Sequence, residues 1–81
     1  MKVIKLMKEL SWGTQVQGQM DIPATENSVE FQGSAKELLS DMDFTMEYGD
    51  RNIKTIKLLS EYKSIHSGDI VSAPILHIIL K

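Results

Sequence analysis

Ile75-Leu76-His77-Ile78-Ile79-Leu80 is the longest apolar stretch of the 81-residue chain, and its reading decides the fold. Six residues fall far short of the roughly 18 to 20 that cross a bilayer, so a membrane span is excluded for this segment. As a strand it turns Ile75, His77 and Ile79 to one side and Leu76, Ile78 and Leu80 to the other. Both faces are then apolar, which predicts a strand in the middle of a sheet or covered by a partner.

Working back from this strand, Pro74 and Ser67-Gly68-Asp69 are turn signals. Ile56, Leu58, Leu59, Tyr62 and Ile65 fit one broad side of a helix over about 52–64, while the same stretch also continues a strand from Ile53, and both readings stay open. Phe44, Met46 and Tyr48 alternate with Thr45 and Glu47, and Gly49-Asp50 is placed as a two-residue hairpin loop. That register sets Met46 against Ile53, Phe44 against Thr55, and Glu47 diagonally near Lys54. Ser34-Ala35-Lys36-Glu37 is a capping box that opens a helix over 34–42. Its buried stripe is Leu38, Leu39 and Met42, with Lys36, Glu37, Ser40 and Asp41 in water.

Further back, Val16, Gly18, Met20 and Ile22 alternate with Gln15, Gln17, Gln19 and Asp21, as the dry and wet faces of one strand. Pro23 ends it, residues 23–28 form a turn, and Val29 and Phe31 begin a strand antiparallel to the first. Val3, Ile4, Leu6, Met7 and Leu10 satisfy both the helix and the strand period over a short window, and we read a strand. Lys5, Lys8 and Glu9 break the continuous apolar centre a signal peptide needs, so this segment belongs to the fold. Together these elements predict a single α+β domain over residues 1–81. It has an antiparallel β-sheet of four to six strands and one helix, 34–42, on one face, with a second helix over about 52–64 as the alternative. One short helix leaves the other face to be covered, and a homodimer is one solution.

Composition bounds the function. At 42% apolar and 25% charged residues the chain lies in the range of folded globular domains. The absence of cysteine excludes disulfides, a thiol nucleophile and thiolate metal sites, and it fits a cytoplasmic protein. The glycines are scattered, with neither G-x-G-x-x-G nor G-x-x-x-x-G-K-[ST], and there is no calcium-loop spacing. No cofactor or metal is expected. His77 lies in the apolar strand, where a neutral imidazole needs only one or two hydrogen bonds, so its role is read as structural. His66, Ser67 and Asp69 share a turn, and sequence neighbours in a turn do not form a nucleophile–base–orienter relay. The chain is therefore not expected to be an enzyme.

Charge carries the functional signal. Residues 14–50 hold eight acidic side chains against Lys36 alone, while both flanks carry an excess of lysine and arginine. Such asymmetry speaks to partners rather than to fold. The leading expectation is a small non-enzymatic protein-binding module, of the kind that inhibits, whose acidic surface over about 30–50 docks on a basic, nucleic-acid-handling partner. Glu30, Glu37, Asp41, Asp43, Glu47 and Asp50 would supply charge, and Phe31 and Tyr48 apolar anchoring. Against this stands the bland reading of a solvated helix face. The alternative function is nucleic-acid binding by two rows spaced every three residues, Lys2, Lys5, Lys8 and Arg51, Lys54, Lys57. Each row is a stripe only if its segment is a helix. Trp12, the one tryptophan, is read as closing an end of the core.

Overall fold

The computed structural model describes residues 1–21 and 29–81, so the expected end of the first strand at Ile22 and Pro23 and the turn over 23–28 lie outside the described residues. In chain order the elements are α1 (Val3–Glu9), β1 (Gln15–Met20), β2 (Phe31–Ser34), α2 (Ala35–Leu39), α3 (Met42–Tyr48), β3 (Ile53–Leu59), β4 (Tyr62–Lys63), β5 (Ile70–Val71) and β6 (Ile75–Leu80). The chain is α+β, with a four-stranded sheet in the order β2-β1-β6-β3 and a separate two-stranded sheet, β4-β5. β6 is interior to the sheet, as its two apolar faces require. The sheet is mixed, not antiparallel: β1 pairs antiparallel with β2 but parallel with β6, and β6 pairs antiparallel with β3.

Three helices, not one, cover a single face of the sheet. Val16 of β1, Phe31 of β2 and Ile78 and Leu80 of β6 pack there against Val3 and Met7 of α1, Ala35 and Leu38 of α2, and Phe44 and Tyr48 of α3. The expected N-terminal strand is helix α1. Alternation would have put Val3 and Lys5 on one side, whereas the helical spacing groups Val3 and Met7, both fully buried, and leaves Lys5, Lys8 and Glu9 outside. Its start lacks a side-chain cap; instead the Val3 and Ile4 amides donate to the carbonyls of Arg51 and Gly49, at 3.0 and 2.9 Å.

The capping box at Ser34 is present in both directions: the Glu37 amide donates to Ser34 Oγ, and the Ser34 amide to Glu37 Oε1. The helix it opens stops at Leu39, short of the expected 42. Asp41 takes over as the cap of α3, its Oδ1 accepting from the amides of Asp43 and Phe44 at 2.9 and 3.2 Å. Residues 42–48 are thus helical, and the expected hairpin through Gly49-Asp50 does not form. Phe44 and Tyr48, four apart, face the core, while Met42 and Met46 are exposed. Met42 is therefore no part of a buried stripe, and Lys54 pairs with Asp21, not Glu47. The alternative helix over 52–64 is also overturned: β3 runs to Leu59 along β6, and Tyr62–Lys63 pairs with Ile70–Val71.

The second face of the sheet holds Gln17 of β1, Gln32 of β2, His77 of β6 and Lys57 of β3 in one rung, set directly opposite one another by the register. Alternation makes Gln17 a wet position, yet it is 5% exposed. The segment 62–71 is tied to this rung through Gln32, while Ile56 and Leu58 of the edge strand β3, opposite Ile78 and Leu76 on the other face, remain exposed.

Candidate functional site

Where β2 meets α3, the chain forms an open groove of about 260 Å³. Its apolar floor is an aromatic cluster: the Phe31 ring stands edge-on to Phe44 with centroids 4.8 Å apart, and Tyr48 lies 5.2 Å from Phe31. Four carboxylates line it, Glu30 before β2 and Asp41, Asp43 and Glu47 on or just before α3, together with Ile65. β2 is an edge strand of the sheet, so the groove runs beside a strand edge.

The local sequence explains the arrangement. Asp41 must sit at the helix start because its carboxylate accepts the first free amides of α3, and the one helical turn from Asp43 to Glu47 brings both to the same side. Tyr48 donates from its hydroxyl to Glu30 Oε2 at 3.2 Å, joining the end of α3 to the entry of β2. Burial first, and then the negative charges of Glu30 and Glu47, push the Tyr48 hydroxyl up to about 12, so it stays a neutral donor through the physiological range.

Six of the eight expected contact residues, Glu30, Phe31, Asp41, Asp43, Glu47 and Tyr48, line this one groove. Glu37 and Asp50 do not. Glu37 is occupied in the α2 cap, where its hydrogen bonds with Ser34 hold its carboxyl below the ordinary range, and Asp50 lies 3.7 Å from the Lys2 ammonium. Phe31 and Tyr48 are buried, which corrects their reading as presented anchors: they build the floor and do not project from it. Trp12 is the opposite correction. It is 68% exposed, with the Lys36 ammonium 5.2 Å above its ring, and so does not close the core.

The lysine rows separate. α1 sets Lys5 and Lys8 one turn apart on its exposed side and Lys2 precedes it in extended backbone, whereas Lys54 and Lys57 lie on strand β3, Lys54 at a break in the β3–β6 register. In the 64–69 turn the hydroxyls of Ser64 and Ser67 accept backbone amides, from His66 and Ser67 and from Asp69 respectively. Among the described residues no three His, Asp or Glu side chains are grouped to hold a metal ion, and no helix is long and apolar enough to cross a membrane.

His77 is half-buried in the rung of the second face. Burial, and then the positive charge of Lys57, hold its imidazole below the usual 6.5. Sequence reasoning placed His77 on its strand but missed its polar partners, because Gln17 lies 60 residues away in the chain. The matching Gln-x-Gln pattern of β1 was the available signal. No known protein family, curated protein or solved structure matches the chain.

Proposed function

We propose that the protein is a non-enzymatic binding module whose groove between β2 and α3 accepts a lysine- or arginine-rich segment of a partner protein. The observation that carries this reading is the gathering of three carboxylates of residues 41–47 with Glu30 around an aromatic floor, with no lysine or arginine among the residues lining the groove. The aliphatic stem of a lysine or arginine covers apolar surface while its head reaches the rim carboxylates, which is the chemistry such a groove offers. Exposed charges of one sign also speed encounter with a basic partner. A partner whose basic segment handles nucleic acid would lose that segment to the groove, and the module would then act as an inhibitor.

Titration calorimetry with a short oligo-arginine peptide at low and at raised salt tests this. Binding is expected in the wild type, weakened by salt and abolished in Asp43→Lys/Glu47→Lys, with an unchanged circular dichroism spectrum; equal binding by the variant refutes it. Those two positions are chosen because neither caps a helix and neither accepts the 3.2 Å bond from Tyr48, which goes to Glu30.

The second reading, nucleic-acid binding, keeps the support of α1, whose helical spacing aligns Lys5 and Lys8, with Lys2 exposed just before the helix. It expects a complex with DNA or RNA at about 50 mM salt that is lost steeply as salt rises, and no complex under those conditions removes it. Self-association is a third use of surface, through Ile56 and Leu58 of β3. Light scattering showing one chain mass across the micromolar range ends that reading.

A further inference from the structure

The rung of polar side chains on the second face has a direction, and two backbone groups set it. The Gln32 amide nitrogen donates to the Lys63 carbonyl at 3.0 Å, and its oxygen accepts from the Ile65 amide at 3.0 Å. A carbonyl only accepts and an amide only donates, so the orientation of the Gln32 side chain is fixed. Its remaining N–H meets Gln17 Oε1 at 2.9 Å, and this turns the Gln17 nitrogen toward His77. That nitrogen lies 2.9 Å from His77 Nδ1. Nδ1 must therefore accept, which leaves the ring neutral with its proton on Nε2.

We infer that His77 is a proton-controlled latch: the segment 62–71 is held on the sheet through Gln32 and Gln17 only while Nδ1 carries no proton. A proton on Nδ1 faces an N–H of Gln17. Relieving that contact needs the Gln17 amide to turn over, which presents its nitrogen to the nitrogen of Gln32. Turning Gln32 in its place sets oxygen against the Lys63 carbonyl and nitrogen against the Ile65 amide, and those backbone groups cannot reverse. The conflict leaves the rung at its weakest point. That point is the exposed pair of bonds to 63 and 65, because β4 and β5 are two-residue strands in a sheet of their own, outside the ladder of the main sheet.

The charges around the imidazole agree in sign. Lys57 on β3 stands directly opposite His77, Lys63 on β4 lines the same groove of about 610 Å³, and β1 contributes Gln17 and Gln19 there. No carboxylate is among the residues lining that groove, so nothing there favours the imidazolium. With the docked state disfavouring the proton, docking is complete above the ordinary value of 6.5 and is lost as pH falls below it. Ile65, whose amide the latch holds, also lines the acidic groove, so release of the segment would remove one of its lining residues. The latch itself does not depend on what that groove binds.

Solution NMR of the full chain between about pH 7.5 and 5 tests it, around the ordinary histidine range. Nitrogen shifts of His77 should show the proton on Nε2 at neutral pH. As His77 titrates, the Ile65 amide should shift with the same midpoint and lose at least about tenfold of its hydrogen-exchange protection, a change of one decade in the opening equilibrium. In Gln32→Leu the His77 titration should persist while the Ile65 response disappears. A neutral ring protonated on Nδ1, or an Ile65 amide whose protection is constant through the His77 titration, overturns the inference.

Discussion

Replacing Gly18 by alanine tests the packing that makes the groove floor. Gly18 sits directly opposite Phe31 in the β1–β2 register, and the outer end of the ring lies over the glycine. An added Cβ would meet Phe31 Cζ at 2.2 Å, Cε2 at 2.4 Å and Cε1 at 2.9 Å. The ring cannot retreat freely, because Phe44 and Tyr48 stand behind it at 4.8 and 5.2 Å. With a contact as short as 2.2 Å the overpacking falls in the upper part of its usual range, about 2–3 kcal/mol, and the loss of glycine's freedom in the unfolded chain returns at most about 1 kcal/mol, so the net loss is at least about 1–2 kcal/mol. With a urea slope of about 1 kcal/mol per molar for so small a domain, the unfolding midpoint should fall by at least about 1–2 M at unchanged slope. In a Phe31→Leu background, where the ring is gone, the same substitution should cost less than half as much. An unchanged midpoint in Gly18→Ala, or an equal fall in both backgrounds, refutes the reasoning.

Asp41 has two separable duties. Asp41→Ala should destabilise by about 1 kcal/mol through loss of the α3 cap, whereas Asp41→Asn, which keeps an accepting oxygen, should hold the melting temperature and weaken binding of a basic peptide only. Tyr48 ionises at about 12 in the folded protein against an ordinary 10.0, so its interactions stabilise fully below about pH 10 and are lost as pH rises through that window. Tyrosinate absorbance of a Tyr62→Phe variant should show that single high transition, and a midpoint near 10 would remove the buried Tyr48–Glu30 arrangement. Trp12 should emit like an indole in water and be quenched readily by iodide, given its exposure; a blue-shifted, unquenched emission would place it in the core.

What could be read from the sequence follows the range of the interaction that decides each element. The Ser34–Glu37 box is complete within four residues, and the position of β6 follows from its own composition. α1 failed because its first amides are satisfied by Gly49 and Arg51, more than forty positions along the chain, and no local residue announces that cap. The error over 44–48 was different in kind. Alternating Phe, Met and Tyr satisfy the strand period, but Asp41, three residues before Phe44, caps a helix of its own and does not lie on the exposed side of the preceding one. The parallel pairing of β1 with β6 joins segments some 60 residues apart, which periodicity within either strand does not encode.

The same distinction explains why the acidic groove was half legible. Charge density in 30–50 is a property of composition, and it survives an error in secondary structure; Asp43 and Glu47 would have shared one side of either a helix or a strand. The roles of Phe31 and Tyr48 did not survive, because whether an aromatic ring is presented or buried depends on what packs over it. β2 holds the answer in two adjacent residues. Phe31 turns inward to floor the groove and Gln32 turns outward to the latch, so one strand couples the two faces of the sheet. Because Gln32 also fixes the amide of Ile65, which lines the groove, a shift of β2 that disturbs one of these contacts disturbs the other. Gly18→Ala, which presses on Phe31 from below, should therefore also reduce protection of the Ile65 amide on the far side of the strand, and an unaltered Ile65 amide in that variant would show that the two faces move independently.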